Sequence, residues 1–162
     1  GWSADLIYFD VFRRSPAEEA ELGLTFLPLD EVFRRTDVLT LHTPLLPETE
    51  GLVDAARLAL VKPTAILVNA ARGGLVDEAA LQAALDEGRL LGAALDTLRQ
   101  EPPPADHPLL HHPRVLVTPH VAGPTWDSWP RRFGNAYANV SRLARGEKPL
   151  WVVPELLDLL SR

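Results

Sequence analysis

The stretch Ile66–Gly88, "ILVNAARGGLVDEAALQAALDEG", decides the fold. Ile66-Leu67-Val68 is a short apolar run that reads as a buried strand. From Val76 the pattern turns helical: Val76, Ala80 and Ala84, with Leu81 and Leu85, form one stripe at i, i+4 spacing. Asp77 reads as the N-cap, and Val76 and Leu81 occupy the two hydrophobic-staple positions around it. Gly88 closes the helix as a left-handed C-terminal residue. Between strand and helix sits Arg72, followed by Gly73 and Gly74, where a connection needs only something small and polar. The glycines imply flexible or closely approachable backbone. The guanidinium implies something to grip.

The same alternation continues in both directions. Upstream, Leu6–Phe9 is a β-prone run ending in Asp10. Ser15-Pro16 reads as a helix start, with Glu18 and Glu19 in the first turn, where the helix dipole favours acids. Asp30 reads as the N-cap of a short helix to Arg35. Val38–His42 is a strand, 43–51 a proline-rich loop, and a short helix near Asp54–Leu60 precedes the strand Ala65–Asn69. Downstream, Leu91–Asp96 is a strand, 100–108 a stiff proline loop and Val115–Thr118 the last strand. A long helix is expected from Thr125 to Ala144, with Pro130 costing a hydrogen bond or a restart near its beginning. The strands are apolar throughout rather than alternating, which predicts a parallel sheet covered on both faces.

Composition narrows the function classes. The 162 residues are 46% hydrophobic, enough for one real core. A formal charge of -6 disfavours a nucleic-acid surface. No apolar run approaches the roughly 20 residues that span a bilayer. With no cysteine there is no disulfide and no thiolate metal site, and a cytoplasmic location is the expectation. His111 and His112 are adjacent, point in different directions and lack supporting carboxylates, so no metal is expected. There is also no methionine, so the chain is expected to be a cut, processed or partial product.

In doubly wound sheets, ligands lie beyond the carboxyl ends of the strands. Asp10, Arg72, Asp96, Glu101 and His120 each fall at or just past such an end, and are expected on one rim. Asp10 suits ribose hydroxyls, though a solvated turn is the simpler reading of it alone. Arg72 offers a planar fork that matches a carboxylate; a surface pair with Asp77 or Glu78 is the plain alternative. Glu101 precedes Pro102 and His120 follows Pro119, so both sit on backbone restricted by proline. A carboxylate and an imidazole so held can act as orienter and acid/base. His42 ends a strand and can line a cofactor groove. His107, His111 and His112 read as loop residues, and Trp126 and Trp129 as packing or, second, a substrate wall.

Taken in order, "YFD", "LHTPLLPET", "ILVNAARGGLVDEAALQAALDEGRLLGAALDT", "QEPPPADHPL" and "VLVTPHVAG" closely resemble the cofactor domain of the D-isomer-specific 2-hydroxyacid dehydrogenases. Glyoxylate/hydroxypyruvate reductases, D-lactate dehydrogenases and phosphoglycerate dehydrogenases belong to that family. The resemblance runs from about Leu6 to Gly146. It implies a Rossmann-type doubly wound sheet, with a partial NAD-binding domain over 1–146 and a segment, 147–162, returning toward a substrate domain. It also implies that Arg72 clamps a substrate carboxylate, that His120 exchanges a proton with the carbonyl oxygen and that Glu101 orients His120. Asp96 would meet the nicotinamide carboxamide, Asp10 the adenosine ribose, and Thr43-Pro44 the adenine side; His42, Ala71 and Gly123 also fall along the cofactor.

Asp10 favours NAD, because a carboxylate repels a 2′-phosphate; Arg13 and Arg14 argue the other way. Glu101 separates the chain from formate dehydrogenases, which pair their histidine with glutamine. The family's G-x-G-x-x-G turn and its strand have no counterpart here, so the sheet is expected either to close across a gap or to rely on other material. Poor dinucleotide binding and no activity are expected of the chain alone. A homodimer is expected by analogy, with a small 2-keto or 2-hydroxy acid as partner molecule and neither nucleic acid nor membrane. Two other classes stay open: a nucleotide-sensing module like the corepressors of this fold, and a remnant that only dimerises.

Overall fold

The computed structural model describes residues 4–123 and 125–153. They fall into two compact units, Gly1–Val121 and Ala122–Arg162. The first unit holds six strands: β1 (Leu6–Tyr8), β2 (Leu24–Phe26), β3 (Val38–Leu41), β4 (Ile66–Asn69), β5 (Gly92–Leu95) and β6 (Val115–Val117). Its helices are α1 (Pro16–Leu22), α2 (Leu29–Arg35), α3 (Ala55–Leu58), α4 (Glu78–Asp86) and α5 (Pro108–His111), with one 3₁₀ turn at Gly73–Leu75. The second unit carries α6 (Ser128–Ala144).

All pairings are parallel, but they form two ladders. β1 pairs with β2, and a four-stranded sheet runs in the order β3-β4-β5-β6. The gap anticipated from the sequence is therefore not closed by pairing among the described residues. Because every strand of the larger sheet points the same way, Leu41, Asn69, Leu95 and Val117 reach its carboxyl edge in register. The residues that follow them share one rim.

Most local signals form as read. Ser15 closes a capping box with Glu18, Asp77 accepts the Ala80 N–H, and Gly88 has φ 71°. Four details differ. α2 is capped by Pro28, so Asp30 sits inside its first turn, where an acid still complements the dipole. Pro130 lies in the first turn of α6, where an absent N–H forfeits no intrahelical bond. Leu24–Phe26 is a strand that three residues were too few to signal. His107 and His111 belong to the cap and last residue of α5 rather than to an unstructured loop.

Among the described residues, one face of the larger sheet is packed and the other carries exposed or half-buried side chains. Leu39, Leu41, Leu67, Asn69, Ala93 and Leu95 are buried, whereas their alternates are exposed or half-buried. The buried row packs with Phe33 of α2, Leu58 of α3, Leu81 and Leu85 of α4, and Leu109 of α5 in one core. The other face also carries apolar side chains, among them Val38, Ile66 and Leu116, in keeping with strands of a doubly wound sheet.

In the second unit, Trp129 stacks on Phe133 with ring centroids 5.3 Å apart, as packing would have it, but Trp126 is 91% exposed. No described helix is long and apolar enough to cross a membrane.

Candidate functional site

The turn after β4 explains its own glycines. Gly73 is not needed for a left-handed backbone; it is needed for contact. A Cβ on Gly73 would lie 2.0 Å from the carbonyl carbon of Leu98 and 2.4 Å from the amide nitrogen of Arg99. The Arg72–Gly73 turn therefore lies directly against the loop that follows β5, the loop that carries Glu101. Asn69 fixes the turn from beneath. Its buried amide donates to the Arg72 carbonyl (2.9 Å) and its side-chain oxygen accepts the Ala71 N–H (3.1 Å). Sequence reasoning passed over Asn69. Its signal was the lone polar residue of an apolar strand, of a type that bonds local backbone.

Across from that turn, His120 and Glu101 are in contact: Nδ1 of His120 lies 2.7 Å from Oε2 of Glu101. The other carboxylate oxygen, Oε1, accepts the Leu98 N–H at 3.0 Å. The hydrogen bond from His120, aided by that from Leu98, holds the Glu101 carboxyl below its ordinary range against the opposing effect of burial. His120 has φ 54°, the only positive value for a described non-glycine residue. Its N–H donates to the Asp96 carbonyl at 2.9 Å, which ties this backbone to the end of β5. A left-handed conformation at a residue with a Cβ costs about 1–2 kcal/mol and persists only where surroundings impose it.

Asp96 is buried, and Oδ1 accepts from the Thr118 hydroxyl (2.6 Å) and the Val121 N–H (2.9 Å). It thus braces the His120 segment from the neighbouring strand end; Thr118 is a second residue that sequence reasoning missed. Asp96, Leu98, Glu101, Thr118 and His120 line a cavity of about 540 Å³.

The remaining candidates are spread along the rim. The Arg72 guanidinium is exposed and donates to the Ala71 carbonyl at 2.6 Å. Among the described residues no ion pair joins it to Asp77 or Glu78, and no bond joins it to Glu101 or His120. Ala71 itself packs against the core. His42 follows β3, exposed, with Nε2 3.0 Å from the Thr40 hydroxyl. Thr43 is half-buried, and the Pro44 carbonyl accepts the Thr49 hydroxyl at 2.7 Å. Asp10 follows β1, exposed, with Oδ1 accepting the Phe12 N–H at 2.9 Å. Gly123 lies in the second unit and is described apart from these.

A parallel α/β sheet with its polar side chains at the carboxyl ends is the architecture of Rossmann-type dinucleotide-binding domains. The model of the D-isomer-specific 2-hydroxyacid dehydrogenase NAD-binding domain matches residues 1–122, and the chain belongs to that family of oxidoreductases. It is 39% identical over 144 residues to a glyoxylate reductase of Thermofilum pendens, covering 89% of this chain and 42% of that protein. A D-lactate dehydrogenase of Lactobacillus jensenii solved with NAD+ superposes with a TM-score of 0.82 at 38% identity, over 93% of this chain and 48% of that one. A 2-hydroxyacid dehydrogenase of Xanthobacter autotrophicus solved with NADPH gives 0.75 at 34% identity, over 93% and 62%. The chain spans less than half the length of the curated relatives it matches first.

Proposed function

We infer that this chain contributes the cofactor side of an NAD-dependent dehydrogenase acting on a small 2-keto or 2-hydroxy acid. The observation that carries the reading is the 2.7 Å contact between His120 and Glu101 at the mouth of a cavity on the strand-end rim. When bound, the nicotinamide supplies or accepts the hydride.

The chain's own residues account for the rest of the chemistry. A ribose presents vicinal hydroxyls, and Asp10 has one carboxylate oxygen on Phe12 and acceptor capacity to spare, so the residues fit the group. Thr43 and Pro44 would line the adenine side, His42 the groove, and Ala71 and Asp96 the nicotinamide side. Arg72 would hold the substrate carboxylate bidentately, beside the carbonyl that reacts. Among the described residues its guanidinium has only a neutral backbone carbonyl as hydrogen-bond partner, one that a charged carboxylate can outbid. His120 uses Nδ1 toward Glu101, which leaves Nε2 as the nitrogen that gives its proton to the carbonyl oxygen, or takes it back in oxidation. The Glu101 carboxylate beside the ring fixes its orientation throughout.

The test is NADH oxidation with glyoxylate and hydroxypyruvate by the complete gene product that contains this chain. Arg72→Ala should chiefly raise KM, and His120→Asn should chiefly lower kcat. Failure to turn over any 2-keto acid would end the reading. The homodimer that the resemblance implies is checked separately by sedimentation.

A further inference from the structure

The sequence "FRRSPAEEAEL" places two arginines three and four residues past Asp10, where either is within reach of a ribose 2′-phosphate. In the structure both are already engaged. Arg13 makes a two-pronged pair with Glu19: Nε to Oε1 and Nη2 to Oε2, each 2.9 Å. The guanidinium also lies over the Phe26 ring, 4.9 Å from its centroid. Arg14 lies 3.6 Å from Glu18, whose other oxygen belongs to the Ser15 capping box.

Glu19 is built in rather than merely nearby. α1 begins at Pro16 under the Ser15 cap, and this register sets Glu19 against the small ladder. There Oε1 also accepts the Tyr8 hydroxyl at 2.8 Å, and the same hydroxyl accepts the Arg14 N–H at 2.9 Å. The Glu19 side chain is only 11% exposed, although its partner Arg13 is 57% exposed. These bonds hold its carboxyl down to about 2, so it stays charged across the working pH range. Asp10, three residues from Arg13, shares neither arginine.

We propose that Glu19 is a specificity-determining residue: by occupying the Nε–Nη2 edge of Arg13 and offsetting its charge, it weakens the hold of that guanidinium on the 2′-phosphate of an NADP-type dinucleotide. The ribose end is then left to Asp10, which prefers free hydroxyls. Glu19 takes the Nε–Nη2 edge of the guanidinium and offsets its charge, so a phosphate meets only the Nη1 side of a cation already paired. The inference rests on the reading that Asp10 meets the ribose, and it adds a residue that touches neither base nor sugar.

The test is calorimetric titration of the complete gene product that contains this chain with AMP and with 2′,5′-ADP, which differ by the 2′-phosphate alone. Glu19→Ala should tighten 2′,5′-ADP about tenfold relative to AMP, the worth of one charge-assisted pair. Glu19→Gln, which keeps the size and the Tyr8 partner, should give a smaller gain in the same direction. Adding Arg13→Ala to Glu19→Ala should abolish the gain, an effect that a general loosening of α1 would not produce. An unchanged ratio in both Glu19 variants, including the case where neither probe binds, overturns the proposal. Asp10→Ala separates the two ideas. If it leaves AMP binding intact, the ribose reading fails; if it weakens AMP while the Glu19 variants gain nothing, only the present inference fails.

Discussion

Replacing Gly73 with alanine tests the coupling between the Arg72 turn and the Glu101 loop. The added methyl would sit 2.0 Å from the Leu98 carbonyl carbon and 2.2 Å from its oxygen. Carbon atoms in contact need about 3.5 Å, so one backbone must retreat by about 1.5 Å. Neither can do so by rotating a side chain. The turn is pinned by the two Asn69 bonds, and the Leu98 N–H is pinned to Glu101. Overpacking of this kind costs about 1–3 kcal/mol, which for a chain of this size lowers Tm by about 3–10 °C. Whichever side yields, the geometry of His120 and Glu101 changes relative to Arg72. A displacement of that order costs about 100-fold in turnover of the complete gene product. The Glu101 carboxyl, followed by carbon NMR, should also titrate nearer its ordinary range as its partners loosen. An alanine variant with unchanged Tm and an unchanged Glu101 titration would refute the argument.

Three further outcomes are expected. Asn69→Ala strips partners from the Ala71 N–H and the Arg72 carbonyl; it should cost about 1–3 kcal/mol in chemical denaturation, and raise KM more than it lowers kcat. Glu101 has a lowered pKa in the folded state, so its stabilising share is complete above the unfolded value of about 4.3 and fades as pH falls through the folded one. The Tm gap between wild type and Glu101→Gln should therefore be widest near neutrality and narrow below about pH 4. His120→Asn and His120→Ala should both lose proton transfer, but asparagine tolerates φ 54° better and should melt about 2–4 °C higher by circular dichroism.

What the sequence made legible was local or ordered along the chain. The cap, staple and terminating glycine of α4 lie within a dozen residues, and each acts on its neighbours, so the pattern and the helix coincide. The pairing of Glu101 with His120 was inferable from strand ends and flanking prolines, because a parallel sheet brings such ends together. Three kinds of feature were hidden. Asn69 acts by bonding backbone two and three residues on, which leaves no periodic trace. The purpose of Gly73 depends on Leu98, a contact that no local rule foresees. The engagement of Arg13 by Glu19 was likewise unread, although the two charges stand six apart in a segment whose helix start was recognised.

The separation of β1–β2 from β3–β6 bears on how the nucleotide groove keeps its length. Among the described residues, no backbone hydrogen bond joins the two ladders; α2 connects them along the chain, packing on β1 and in the common core. Among the described residues, the span between Asp10 at one end and the imidazole at the other is held by side-chain fit rather than by one continuous ribbon of amides. A dinucleotide bound as proposed, touching both Asp10 and the imidazole, would act as a tie-rod between the two ladders.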